Sequence, residues 1–196
     1  MNLKSTYKMI GKLNYAESVT VTELRADKNI IEQHRKRLTE LMPNEKPEQI
    51  EKRVFDIVLR DNAFGLIMTN VAKSFEFNID AADVERVSNQ LKQVYKTLPD
   101  EQIKMIANHV IQRDLVFIEL GKLWDIFVTD EEVKQGLNEY YKTTNEPIRD
   151  YLNNKEKFEG IRNLIYSEKI VKEILNRFPV KVDLKKPENT EAVKPA

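Results

Sequence analysis

The chain has no cysteine, and it contains little glycine, proline or aromatic residue. The lack of cysteine excludes a disulfide framework, a thiolate nucleophile and a cysteine-based zinc site. With 5 glycines and 7 prolines among 196 residues, the sequence does not favour a turn-rich β architecture. The glycines also stand singly, so no glycine-rich loop is available to hold a phosphate, and we expect no role for ATP.

A surplus of one charge and a long apolar run are missing too. Lys and Arg together number 32, as do Asp and Glu, so there is no electrostatic reason to expect nucleic acid or an anionic membrane as a partner. No run approaches the roughly 18 apolar residues of a membrane span. The amino terminus lacks the continuous apolar core of a signal peptide. We therefore expect a cytoplasmic protein.

The charged and apolar residues that are present follow a pattern that predicts helices. Charged residues make up 33% of the chain and apolar residues 41%, and the apolar residues recur at three- and four-residue steps. This pattern is typical of long helices with large exposed faces, and it predicts an all-α, elongated fold of helical hairpins without a sheet of any size. Residues 1–18 show no regular period, and the charged end of the chain, residues 185–196, has the composition of a disordered tail. The expected helices span 22–42, 48–75, 81–98, 99–128, 130–143, 148–152 and 155–177, followed by a short strand or extended segment at 180–184.

A helix-start pattern occurs twice, each copy following a long helix. The copies read FNIDAADV from Phe77 and FVTDEEV from Phe127. Asp80 and Thr129 are suited to cap the first turn of the next helix through a side-chain oxygen. Glu132 is placed to complete a capping box with Thr129, and Asp83 is placed to do the same for Asp80, less well because it is shorter. On this ground alone the pattern indicates only where two helices begin.

No catalytic or metal-binding constellation is recognisable, so we expect a protein that is not an enzyme and that needs no cofactor. The two histidines, His34 and His109, have no second histidine at ligand spacing. Carboxylates recur beside Lys and Arg, as on a solvated helix face with i,i+4 pairs.

Aromatic residues and methionines are the remaining candidates for a working surface, because exposed apolar patches usually bind something. The alternative is that each of them is simply core between hairpins. Adjacent Tyr140 and Tyr141 are the better candidates for exposure, since neighbours cannot both face one helix partner. The candidate groove residues are Phe64, Met68, Phe75, Met105, Phe117, Trp124, Phe127, Tyr140, Tyr141 and Tyr151.

The segment from Glu146 to Val180 resembles the end of the trigger factor C-terminal domain. In that family a proline opens a short helix with aromatics, here Pro147, and a later helix carries a Met/Ile-Arg-Asn triplet, here residues 161–163. Upstream, VTDEEV resembles the helix start after the family's longest helix. The first copy has Asp-Ala where the family often has Pro-Glu. The likeness covers residues 47–184, and no ribosome-docking loop or prolyl isomerase domain accompanies it.

The resemblance implies an ATP-independent chaperone, a holdase that binds exposed apolar segments of non-native polypeptides between helical arms. It divides the chain into residues 1–44, which either complete an arm or mediate self-association as a homodimer, a helical domain at 45–184, and the tail at 185–196. Two other classes remain open. A non-catalytic helical adaptor or structural protein would bind one fixed protein partner, and a nucleic-acid-binding helical protein would need a basic face.

Overall fold

Helices dominate the fold, as the sequence predicts for an all-α protein. The structure, a computed structural model, describes residues 3–184, so the predicted tail at 185–196 lies outside the described residues. Four short strands form two two-stranded sheets beside the helices. The elements are β1 (Thr6–Met9), β2 (Val19–Val21), α1 (Lys28–Leu41), α2 (Pro47–Ala72), β3 (Phe75–Asn78), α3 (Ala81–Val94), α4 (Asp100–Leu123), α5 (Asp130–Thr144), α6 (Arg149–Asn153), α7 (Lys155–Arg177) and β4 (Val180–Val182).

The chain forms two compact units. Among the described residues, the first unit contains 3–13 and Asn70–Asn176, and the second contains Asn14–Thr69 and 177–184. The boundaries expected from the sequence near residues 44 and 184 stay predictions.

In the first unit, α3 and α4 form an antiparallel hairpin around a small apolar core. Val87 of α3 packs against Ala107, Ile111 and Leu115 of α4, and all four side chains are buried. The α4 residues are spaced four positions apart, which places them on one continuous apolar stripe. This hairpin therefore forms as the periodicity predicts.

A sheet that the sequence did not predict joins this hairpin. Strand β1 pairs antiparallel with β3, with Tyr7 opposite Phe77. Residues 1–18, which show no regular period, therefore contribute a strand, and the predicted extension of α2 to Phe75 was wrong. The reason is long-range: Ser74 O accepts hydrogen bonds from Ile10 N at 2.9 Å and Gly11 N at 3.3 Å, and local periodicity carries no signal for such pairing.

The two helix starts are confirmed, but their acidic residues have different roles. Thr129 and Glu132 form the full capping box of α5, as predicted. Asp80 caps α3 by accepting from Ala82 N at 2.8 Å. Asp83, however, does not reach back to Asp80; it is buried and binds residues 4 and 5 instead. The N–H of Asp80 donates to Ser5 Oγ at 3.0 Å.

Two helices end earlier than predicted. Helix α3 stops at Val94 rather than at residue 98, and α4 stops at Leu123 rather than at residue 128. After α4, Asp125 takes a left-handed conformation with φ 52°, and Ile126 N donates to Gly121 O at 2.9 Å. This 6→1 bond satisfies a free carbonyl of the last turn and ends the helix.

A second core in the first unit joins α5 to α7. Val128, Val133 and Leu137 are buried, and partly buried residues of α6 and α7 pack on them. Helix α7 has the predicted bounds. Tyr166 of α7 donates its hydroxyl to Phe117 O of α4 at 2.9 Å. The packing partners of this cluster are Ile148, Tyr151, Phe158, Ile161, Ile165 and Tyr166.

The second unit is built on the pair α1 and α2. Buried Ile50, Val54 and Val58 of α2 pack against partly buried side chains that include Leu24 and Ile31. Helix α1 begins at Lys28, with Asp27 as its N-cap, and not at residue 22 as expected. Residues 22–27 instead lead from β2, which pairs in parallel with β4. The predicted short strand after α7 is thereby confirmed.

Candidate functional site

The structure divides the predicted groove residues by exposure. Phe75 and Phe117 are buried, which agrees with the alternative that they belong to the core. Phe64, Met68, Trp124 and Tyr151 are partly buried. The exposed candidates are Met105, Phe127, Tyr140 and Tyr141, all in the first unit.

Exposed apolar residues lie near the point where α3 passes into α4. Val94 closes α3 and is 72% exposed, and Tyr95 follows it at 45%. Val94 is exposed because α3 ends there and the next helix starts only at Asp100. Met105, on the second turn of α4, is also exposed. It lies midway between buried Ile103 and Ala107, so it is on the face of α4 opposite the packed one.

A second exposed apolar surface lies where α5 passes into α6. Tyr140, Tyr141 and Leu152 are exposed, and we call these three residues the α5/α6 end. Both tyrosines are exposed, as expected for adjacent residues. Asn145 ends α5 in a left-handed conformation with φ 56°. The Tyr140 hydroxyl donates to the carboxylate of Glu146, and this hydrogen bond raises the pKa of Tyr140.

A third exposed aromatic lies in the turn between α4 and α5. Phe127 is 64% exposed, while its neighbour Val128 is buried in the α5–α7 core. Lys169 Nζ donates to Phe127 O at 2.9 Å, and Arg162 Nη1 donates to Val128 O at 2.6 Å. Two cations of α7 therefore hold the backbone on which the Phe127 ring is presented.

The same two cations also bind the start of α5. Arg162 pairs with Asp130 and with Glu159, and Lys169 pairs with Glu132. The hydrogen bond from Arg162 lowers the pKa of Asp130, and the one from Lys169 lowers the pKa of Glu132. The same ion pairs that lower these pKa values also hold the turn between α4 and α5. The shifts therefore reflect a structural role of the two carboxylates and give no indication of acid–base catalysis.

A groove adjoins this turn. Its volume is about 420 Å³, and its wall includes Ile126, Phe127 and Lys172. The walls of the groove are therefore partly charged and partly apolar. Within residues 3–184, no group of three or more His, Cys, Asp or Glu side chains is placed to hold a metal ion. No helix of that range is long and apolar enough to cross a membrane.

Some exposed apolar residues were not foreseen. Leu164 of α7 is 56% exposed, and Leu123 at the end of α4 is exposed as well. Tyr95 carries a usable signal, since it stands four residues before Pro99 and so close to an expected helix end. Leu164 carries none, because periodicity alone does not reveal how wide the packed face of a helix is.

Residues 89–176 match the family model described as the C-terminus of bacterial trigger factor protein (TF). The chain carries a trigger factor C-terminal-like domain, and it belongs to the family of the Mycoplasma proteins that follow.

The chain is 38% identical over 178 residues to the uncharacterized MG377 homolog of Mycoplasma pneumoniae, covering 90% of this chain and 92% of that protein. It is 36% identical to the uncharacterized protein MG377 of Mycoplasma genitalium, with the same coverage. The crystal structure of the hypothetical Mycoplasma protein MPN555 matches with a TM-score of 0.80 and 37% identity, over 92% of each chain.

Proposed function

We propose that this protein is an ATP-independent holdase chaperone of the cytoplasm that binds exposed apolar segments of non-native polypeptides. The observation that carries this proposal is the exposure of several large apolar side chains within the family-matched region. Val94, Tyr95, Met105, Tyr140 and Tyr141 all lie between residues 89 and 176, and all are exposed. Exposed apolar patches of a protein usually mark interaction sites, which supports a role in binding other polypeptides.

The chemistry of these residues suits varied partners. Tyr95, Tyr140 and Tyr141 each offer a large apolar ring with a polar edge, and Met105 is flexible and polarizable. Such side chains can contact client segments of many different sequences, because they do not require one complementary shape in the partner. We infer that each client segment binds weakly, with Kd of about 10⁻⁶ M or about 8 kcal/mol, so that clients leave without an energy source.

The proposed mechanism is mass action. Binding the non-native form lowers its free concentration, so aggregation slows while folding of released chains continues. No step in this scheme makes or breaks a covalent bond, so the proposal describes a non-catalytic protein without cofactor. Self-association as a homodimer stays a prediction, which sedimentation of the full chain would test.

Aggregation of a chemically unfolded model protein, diluted into buffer and followed by light scattering, tests the proposal. We expect the wild-type chain to suppress scattering at equimolar or lower concentration. Replacing Tyr95, Tyr140 and Tyr141 together by Ser should raise the concentration for half-suppression at least fivefold. A matched variant, Ile30→Ser with Leu41→Ser, changes exposed apolar residues of α1 and should act as wild type.

Two outcomes would count against the proposal. Folded wild-type protein that fails to suppress scattering at several-fold excess would exclude a holdase. Suppression of only one client among several unrelated ones would favour the adaptor alternative, in which the hairpins bind one fixed partner.

A further inference from the structure

The second unit presents an unpaired strand edge. In β2, Val19 N donates to Pro179 O at 3.0 Å, and Val21 O accepts from Asp183 N at 2.9 Å. In a parallel ladder, alternate residues direct both backbone groups to the same neighbour. The backbone N–H and C=O of Thr20 therefore point away from β4. Among residues 3–184 this sheet contains only two strands, so the Thr20 edge has no partner there.

A groove lies beside this strand. Thr20 and Thr22 form one wall, and successive turns of α2, including Gly65, Leu66 and Thr69, form the other. Its volume of about 480 Å³ falls within the range of roughly 300–1,000 Å³ for ligand sites. Leu66 is 40% exposed and supplies an apolar contact in the groove. The groove thus combines an open strand edge with an apolar wall.

Gly65 leaves the floor of the groove open. It lies in the interior of the 26-residue helix α2, where glycine is destabilising relative to alanine. A Cβ at this position would meet nothing within 4 Å, so packing among the described residues does not require a glycine. The missing side chain allows a second backbone to approach α2 closely at this point.

Several polar side chains of the groove are already engaged, including the ion pairs of Arg25 with Glu23 and of Arg60 with Asp61. Asn62 accepts from Arg25 N at 2.9 Å and donates to Arg25 O at 3.0 Å. Thr69 Oγ1 donates to Gly65 O at 2.9 Å, back onto its own helix. What the groove still offers is backbone hydrogen bonding along Thr20 together with the apolar Leu66. These groups recognise an extended polypeptide and are tolerant of its sequence.

We propose that the open edge of β2 takes an extended segment of a non-native polypeptide as an added strand, seated over Gly65 and Leu66. The proposal rests on the holdase function and names a binding mode for it. Backbone hydrogen bonds along β2 supply the affinity, and the contact with Leu66 favours segments that carry an apolar side chain at that position. A client segment that exposes an unpaired strand is the aggregation-prone form that such pairing would cover.

Binding of a labelled peptide to the full chain tests the proposal. The probe is a fluorescein-labelled nine-residue peptide of alternating Val and Thr, followed by fluorescence anisotropy. Gly65→Phe fills the groove and should weaken binding at least tenfold. Gly160→Phe is the matched control, because a Cβ at Gly160 of α7 also meets nothing within 4 Å, and it should bind within twofold of wild type.

The peptide itself provides a test that does not depend on a folded variant. N-methylation of alternate residues removes N–H donors from one edge of the peptide only. We expect one of the two alternating N-methylated peptides to bind wild-type protein at least tenfold more weakly, and the other to bind normally. Equal binding of both peptides, or wild-type affinity in Gly65→Phe, would overturn the proposal.

Other occupants give different results, each of which overturns it. Peptide binding only after truncation behind Leu184 would identify the chain's own carboxyl-terminal residues as the occupant. A change of oligomeric state in Gly65→Phe would identify a second copy. Failure of this binding mode and failure of the holdase proposal give different results. If the wild-type chain suppresses aggregation of the model protein but does not bind the labelled peptide, only the proposed strand addition at β2 is refuted.

Discussion

Replacing Asp83 by Asn tests the link between the amino-terminal residues and helix α3. The buried carboxylate Oδ2 accepts from Lys4 N at 2.8 Å, Ser5 N at 2.7 Å and Ser5 Oγ at 2.7 Å. Arg86 Nη2 lies 3.2 Å from Oδ1. An asparagine side chain keeps one oxygen that can accept hydrogen bonds. Its NH₂ group is itself a donor, so it would face either Arg86 or the backbone N–H groups of residues 4 and 5 without an acceptor. Hydrogen bonds to a charged group contribute roughly 1.5–3 kcal/mol, and we expect a loss of about 2–3 kcal/mol at neutral pH.

The pH dependence of stability follows from the same contacts. Burial alone raises the pKa of Asp83, but the hydrogen bonds from Ser5, Arg86 and Lys4 outweigh it and lower the pKa from 3.8 to about 2. At 1.36 kcal/mol per pKa unit, this difference contributes about 2 kcal/mol to the free energy of unfolding. Because the folded pKa is the lower one, the contribution is complete above about pH 4 and is lost as the pH falls towards 2.

Urea unfolding followed by circular dichroism at pH 7, 5, 3 and 2 measures both effects. The free energy of unfolding of wild type should fall by about 2 kcal/mol more than that of Asp83→Asn over the acid range. Hydrogen exchange should show loss of protection at the Lys4 and Ser5 amides in the variant. Parallel pH profiles for the two proteins, or a difference below about 0.5 kcal/mol at neutral pH, would refute the assigned role of Asp83.

Four further substitutions have expected outcomes in urea unfolding. Gly121→Ala should destabilise by about 1–3 kcal/mol, because the new Cβ would lie 1.8 Å from the Tyr166 hydroxyl; Gly160→Ala, with open space, should instead stabilise by about 0.5–1 kcal/mol. Ser88→Ala should be neutral or slightly stabilising, because the buried Ser88 hydroxyl has no hydrogen-bond partner among residues 3–184. Arg162→Lys should cost about 1–3 kcal/mol, since lysine lacks the planar fork that reaches three acceptors.

The helices were largely predictable from the sequence. The stripe of α4 and the capping box at Thr129 depend on contacts three or four residues apart, which periodicity and side-chain type report directly. The bounds of α7 were predicted for the same reason. Helix ends were less predictable. Helix α4 stops after Leu123 because Asp125 takes a left-handed conformation, and an aspartate permits this conformation without favouring it strongly enough to be predicted.

The strands and the exposed surfaces could not be read from the sequence. Strand β1 exists because it pairs with β3 some 70 residues away, and its short polar–apolar pattern has no local meaning. The role of Asp83 was misread for the same reason, since its partners lie at the amino terminus. Exposure of Val94 and Leu164 depends on where neighbouring helices stop, which a one-dimensional stripe does not reveal.

Site-specific crosslinking of an unfolded client to the full chain tests the holdase account most directly. A photoreactive phenylalanine analogue is placed singly at Tyr95, Phe127 or Tyr140, with Ile30 of α1 as an equally exposed control position. The account predicts that an unfolded model protein is captured at the first three positions, and that its folded form is not. Capture at Ile30 alone, or equal capture of folded and unfolded forms, would contradict the account.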